Sequence, residues 1–403
     1  MPDVSRRCVF YVSGFDPKGA SHYHALYKEE SARQGSDVKS ARTVGPRRRQ
    51  PSGNAFWDVQ AGRGSRVVDT HYEFMRWDDV VRKHWPKSTA ALWRDVIATT
   101  FFYLRHGTWW KMFRLSWPPA VAVFTPFLLV CALLIGTPLA ALASAWLAAT
   151  ALEHTGAGLA AGALVAVALW AAGRQLEARY SMYWMMRSYA FTARQARGEV
   201  PDLEQRLDEL ADCLVQRVRS QQDDEVLVVG HSSGAIMAAI IVARALRADP
   251  ELLAGRTQVA LLTLGQWIPL LGLLPMAQGF RGELERLGAA RGLTWVDFSA
   301  PPDGCCFALT DPFDACGVAR DAGAGATFKL LNPRFASLFD ARDYAALKRD
   351  KFKLHFQYVR ATDKPGAYNY FEITAGPRTL AQRFSELPGV TNFNRFRLRG
   401  GQR

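Results

Sequence analysis

The chain has 403 residues, enough for a large buried core and two or three domains, and its 50 Lys and Arg against 37 Asp and Glu leave a net charge of +13. That balance favours an anionic partner, and the apolar tract described below points to an acidic membrane surface rather than to nucleic acid. Six cysteines in such a length exclude a small disulfide-stapled scaffold, so reduced thiols are expected.

Residues Met1 to Arg7 lack an apolar h-region, and no secretory signal is expected. Cys8 to Val12 reads as a strand ending in the turn Ser13-Gly14-Phe15-Asp16-Pro17. Ser21 to Glu30 reads as a helix on which His22 and His24 point to different faces, which argues against a metal pair. Lys39 to Gly53 is basic and carries two prolines, the composition of a surface loop. Arg66 to Phe74 alternates like a second strand, and Trp77 to Trp85 starts a helix with acidic residues in its first turn. Aromatic and basic side chains then alternate between Phe101 and Trp117, a mixture suited to the headgroup level of a bilayer.

From Trp117 to Gly173 the only charged or histidine residues are Glu153 and His154. A crossing takes roughly 20 apolar residues, so the tract has room for two or three. Strands before and after it should share one sheet, and only an even number returns the chain to the same side. Two transmembrane helices are therefore expected, within about 118–152 and 156–173, with Glu153-His154-Thr155-Gly156 as the far turn. Arg105, Lys111 and Arg114 precede the tract, Arg174 and Arg179 follow it, and the turn has no Lys or Arg, which by the positive-inside rule places both ends in the cytoplasm. The expectation is a multi-pass protein of a bacterial inner membrane whose soluble body faces the cytoplasm.

Val200 to Val218 has helical spacing, with Leu203, Leu207, Leu210 and Leu214 on one face. Next comes Glu225-Val-Leu-Val-Val-Gly-His-Ser-Ser-Gly234, a short apolar run followed at once by a turn and an alanine-rich helix, Ala235 to Leu246. The turn matches G-x-S-x-G on a strand-to-helix junction, which makes Ser232 the candidate nucleophile at a helix N-terminus and the backbone N–H of Ser233 a candidate oxyanion donor.

This stretch resembles the nucleophile elbow of the α/β-hydrolase superfamily of serine esterases and lipases. The resemblance implies a mostly parallel central sheet flanked by helices, here with a two-helix transmembrane insertion. It covers roughly residues 8–80 and 200–375. The chain then divides into an N-terminal part of the hydrolase domain (1–95), the membrane insertion (96–195) and a C-terminal part with nucleophile, acid and histidine (196–403). It also implies a second oxyanion donor after an early strand, a place occupied here by Gly14 and Phe15, with Ser13 where the family commonly has histidine.

Beyond the elbow, Thr257 to Leu264, Leu293 to Phe298 and Thr327 to Leu331 read as further strands, and Asp340 to Asp350 as a helix. The broken apolar run Trp267 to Met276 is too short to span a bilayer and is a candidate acyl-pocket lining or membrane-docking segment. The family carries its acid in the turn after a late strand, which points to Asp303, with Asp297 and Asp311 as alternatives. After Ser232 the chain has one histidine, His355, so the family order Ser, Asp, His leaves His355 without a competitor. Cys305, Cys306 and Cys316 lack zinc-site spacing, Gly323-Ala-Gly325 lacks the third glycine of a dinucleotide loop, and no phosphate-loop or H-E-x-x-H motif occurs. No metal or cofactor is expected. The tail after Thr362 reads as turn-rich, with a basic end from Asn394 that is suited to anionic lipid.

The functional expectation is a serine hydrolase acting on lipid or other long-chain acyl esters. The competing expectation is a catalytically silent membrane scaffold that uses the same body for docking.

Overall fold

In the computed structural model, which describes residues 3–35, 41–63, 66–320 and 327–398, the chain forms an α/β body from which a helical hairpin projects. Nine strands build one sheet among the described residues: β1 Arg6–Val12, β2 Ala41–Val44, β3 Arg48–Arg49, β4 Ala55–Arg63, β5 Arg66–Phe74, β6 Glu225–His231, β7 Gln258–Leu264, β8 Thr294–Phe298 and β9 Thr327–Leu331. Their order is β2-β4-β5-β1-β6-β7-β8-β9, with β3 paired to β4. From β5 to β9 all neighbours are parallel, and the edge formed by β2, β3 and β4 is antiparallel.

Alternation along the central strands creates two cores, one on each side of the sheet. Cys8, Phe10, Val226, Val228 and Leu261 face the helices Pro201–Arg219, Gly234–Ala248 and Gln278–Ala289. Val9, Tyr11, Leu227, Val229 and Leu262 face Tyr23 and Tyr27 of the helix Ala20–Gly35 and the C-terminal segment around Phe371 and Leu380. A parallel sheet covered on both faces has strands that read as continuous apolar runs, which is why Val226 to Val229 is buried throughout.

Two segments differ from the sequence reading, one at the N-terminal edge of the sheet and one in the C-terminal tail. The segment expected as a loop from Lys39 to Gly53 contains β2 and β3, which pair with β4. Its basic side chains suit an edge strand, where charge deters pairing with another chain. Lys39, Gly323–Gly325 and the last residues of the basic tail lie outside the described residues. The tail is also more ordered than its turn-rich composition suggests: Asn369 caps a helix, Tyr370–Ala375, by accepting from the N–H groups of Phe371 and Glu372.

The hairpin consists of Trp117–Leu152 (36 residues) and Thr155–Tyr180 (26 residues), both long and apolar enough to cross a membrane, with mean hydropathy 2.4 and 1.8. The first expected boundary holds to within a residue; the second helix runs to Tyr180 rather than 173. Leu142, Trp146, Leu159 and Leu164 on its outer surface are each about two-thirds or more exposed, forming an extended apolar surface. Within the hairpin, a Cβ on Gly158 would meet Ala149 Cβ at 2.7 Å, and one on Gly162 would meet Ala145 Cβ at 2.9 Å. The G-x-x-x-G spacing thus lets the two backbones approach closely, as small residues do between helices in lipid.

Candidate active site

The order of the parallel strands reverses at the junction of β1 and β6, since the chain adds β5 on one side of β1 and β6 on the other. Loops leaving the carboxyl ends of two such strands diverge and leave a crevice. Ser13-Gly14-Phe15 leaves β1 there, and Ser232-Ser233 leaves β6.

Ser232 has φ 60°, the left-handed conformation of a sharp strand-to-helix turn, and its N–H donates to the Leu264 carbonyl at 2.8 Å. The flanking glycines are sterically required. A Cβ on Gly230 would lie 2.6 Å from Ala235 Cα, and one on Gly234 would collide with the Val12 and Ser13 carbonyls. Ser232 is held at the N-terminus of the helix Gly234–Ala248, where unpaired backbone N–H groups favour negative charge.

His355 comes from a different element, the short helix Lys351–Phe356, whose N-terminus is capped by Asp350. Its Nε2 accepts from the Ser232 hydroxyl at 2.8 Å, and its Nδ1–H donates to Asp303 Oδ2 at 2.8 Å. The tautomer follows from the acceptor-only carboxylate on the Nδ1 side. Asp303 sits in the turn after β8 and is almost wholly buried. Burial alone would raise its pKa, but the adjacent His355 and the Cys305 N–H, which donates to Oδ1 at 2.9 Å, hold it below the usual carboxylate range. The structure therefore brings Ser232, His355 and Asp303 into one hydrogen-bonded relay. Such a relay can take a proton from the serine hydroxyl and stabilise the imidazolium that results.

Neither alternative acid reaches His355. Asp297, inside β8, accepts from Thr263 and Ser299 hydroxyls at 2.7 and 2.8 Å, and its burial pushes its pKa up to about 7. Asp311 caps the helix Pro312–Cys316 and pairs with Arg320 at 3.5 Å.

Phe15 and Gly14 lie where the resemblance places an oxyanion donor, and a Cβ on Gly14 would be 3.5 Å from Ser232 Oγ. The Phe15 N–H, however, donates to the Ser233 hydroxyl at 2.8 Å. The Ser233 side chain thus holds the loop after β1, a contact the pattern G-x-S-x-G does not reveal because it leaves that position free.

Several supporting residues were not singled out from the sequence. His231 Nε2–H donates to the His355 carbonyl at 2.8 Å, and burial, foremost, lowers its pKa to about 3, so the ring stays neutral. The Tyr358 hydroxyl donates to Asp303 Oδ2 at 3.1 Å while accepting from the Ala300 N–H at 2.8 Å, tying the acid's turn to the histidine's segment. Its place one helical turn after His355 was the available signal. Gly265, at φ 54°, leaves room for this arrangement, since a Cβ there would lie 2.8 Å from the Tyr358 ring.

Above Ser232 a cavity of about 60 Å³ is walled by Phe15, Trp184, Tyr189, Trp267, Phe352 and Phe356. Trp184 belongs to the helix Met182–Ala196 that directly follows the hairpin, so the insertion supplies part of the roof. Of the apolar run after β7, only Trp267 lines this cavity; Leu270, Leu271 and Leu274 pack in the core. Cys305 Sγ lies 3.7 Å from Met185 Sδ, and among the described residues no three His, Cys, Asp or Glu side chains converge as metal ligands.

No protein-family model matches the chain, and neither curated proteins nor solved structures give a match. The functional reading rests on the site itself.

Proposed function

We propose that this protein is a membrane-anchored serine hydrolase of the α/β-hydrolase type that cleaves carboxylic esters, lipid or long-chain acyl esters in particular. The observation that carries the reading is the relay Ser232–His355–Asp303, two 2.8 Å hydrogen bonds joining a positive-φ serine at a helix N-terminus to a buried, ionised acid.

In this reading Ser232 Oγ attacks the ester carbonyl while His355 Nε2 takes its proton, and Asp303 stabilises the imidazolium. The oxyanion forms beside the backbone N–H of Ser233. The Phe15 N–H joins it when the Ser233 hydroxyl rotates away, so the loop after β1 is poised rather than committed. His355 returns the proton to the departing alcohol, giving an acyl-enzyme, and then activates the water that releases the acid. The buried aromatic walls exclude bulk solvent from these charges.

The anchoring half of the proposal rests on the two apolar helices and on the arginines and lysine at their base, Arg105, Lys111, Arg114, Arg174 and Arg179, which orient the body toward the cytoplasm. Substrate drawn from the bilayer accounts for an apolar cleft beside the hairpin. The occupied Phe15 N–H is the observation that favours a silent scaffold instead.

Turnover decides between the two. Purified protein in detergent should hydrolyse acyl esters, and Ser232→Ala should lose at least about a thousandfold in kcat. Equal turnover by wild type and Ser232→Ala, or none by either across acyl esters, phospholipids and acyl thioesters, would reject catalysis at this serine.

A further inference from the structure

At the foot of the hairpin lies a second, far larger concavity, a groove of about 710 Å³. One wall is the first turns of the hairpin, Trp117, Val121 and Ala122, and the other is the turn that carries the acid, Pro301, Pro302 and Gly304. Its size falls in the range of sites that enclose a small ligand or one acyl chain, roughly 300–1,000 Å³. It adjoins the cavity over Ser232: Tyr180, Met185, Cys305 and Lys351 line both.

The rim is charged with one sign. Lys348, Lys351 and Arg395 line the groove, no Asp or Glu does, and none of the three cations forms an ion pair among the described residues. Lys348 sits 5.6 Å from the Tyr344 ring and Arg395 5.9 Å from the Phe396 ring, leaving both heads exposed at the groove mouth. The tail that brings Arg395 is fixed to the hairpin: the Trp117 N–H donates to the Phe396 carbonyl at 3.1 Å, and the two rings are 5.9 Å apart.

An apolar trough that starts on a helix apolar enough to cross a bilayer, adjoins the cavity of the nucleophile and is rimmed by cations without ion-pair partners among the described residues fits one kind of molecule. We propose that the groove binds an anionic lipid of the surrounding bilayer, its chain between Val121 and Pro302 and its acidic headgroup at Lys348, Lys351 and Arg395. The identification of that lipid as substrate rests on the hydrolase reading; the binding does not. Cations near a bilayer surface each attract anionic lipid, so a cluster of three discriminates between anionic and zwitterionic headgroups.

The test uses full-length Ser232→Ala protein in proteoliposomes, so that no bond is cleaved. Phosphatidylglycerol or phosphatidylcholine with identical photoactivatable acyl chains is included as probe, and cross-links are mapped by peptide mass spectrometry. Cross-linking to the Pro301–Gly304 segment should be at least fivefold greater from phosphatidylglycerol. The preference should fall below twofold in Lys348→Glu/Arg395→Glu, and Ala122→Trp, which fills the trough, should remove cross-linking there by either probe. Cross-links on the exposed hairpin surface around Leu142 serve as the control for insertion and folding. Equal labelling by both probes, labelling confined to the hairpin surface, or a preference that survives charge reversal would overturn the proposal. Failure of the hydrolase reading would appear separately, as a wild-type Ser232 that does not react with a fluorophosphonate.

Discussion

Replacing Asp303 by Asn keeps the shape of the acid and removes its charge. Three donors converge on the carboxylate: His355 Nδ1–H and the Tyr358 hydroxyl on Oδ2, at 2.8 and 3.1 Å, and the Cys305 N–H on Oδ1, at 2.9 Å. An amide offers one acceptor oxygen and turns an NH2 group toward whichever donors remain, so one donor must be left facing another in a buried site. Such an unmet group costs about 1–3 kcal/mol. The imidazolium that forms on proton transfer also loses its only adjacent anion, and the ring has an incentive to take the wrong tautomer. Together these remove roughly 4–5 kcal/mol of transition-state stabilisation, or about 10³- to 10⁴-fold in kcat at 1.36 kcal/mol per decade. Stopped-flow acylation with a chromogenic acyl ester measures the step directly, and circular dichroism establishes that the variant is folded. A folded Asp303→Asn protein that acylates within tenfold of wild type would refute the relay as the source of activity.

Other perturbations test the supports of the site. His231→Phe leaves the His355 carbonyl without its 2.8 Å donor; kcat should fall about 10- to 100-fold with little change in KM, because the loss is in aiming the base rather than in binding. Glu225→Gln should lower stability by about 3–5 kcal/mol in chemical denaturation, since it strands the buried Arg7 guanidinium whose Nε lies 2.7 Å from the carboxylate. Asp297 has its pKa raised by burial to about 7, so its contribution to stability is full below the unfolded value near ~4 and is lost as pH rises through about 7, by up to roughly 4 kcal/mol. Asp297→Asn should therefore flatten the decline in Tm between about pH 4 and pH 7, and an unchanged decline would show that the carboxyl is not buried as described.

The parts of the molecule that could be read from the chain are those governed by local pattern. β6 announces itself because both faces of a central parallel strand are covered, and the hairpin because an apolar tract without charge has few other homes. Ser232, His355 and Asp303 were legible through a motif, a scarcity of histidines and a turn after a late strand, and the structure brings these three side chains together. What was not legible depends on contacts between distant segments. β2 and β3 are four and two residues long and owe their place to pairing with β4, in which Trp57 and Val59 are buried while Asp58 and Gln60 are exposed. His231 looked like a free position of the elbow, and only the fold shows its ring bonded to the carbonyl of His355. The same holds for the Ser233 hydroxyl and Phe15, which meet across the β1–β6 crevice. The roof over the serine is the largest omission: the place of Trp184 emerges only when the helix Met182–Ala196 is seen to pack over Ser232.

The most direct test of the central claim is the site of covalent modification by a fluorophosphonate. A single adduct is expected on the peptide containing Ser232, absent in Ser232→Ala and formed at least about a hundredfold more slowly in His355→Ala. No adduct on the folded wild-type protein, or an adduct that persists when Ser232 is replaced, would contradict it.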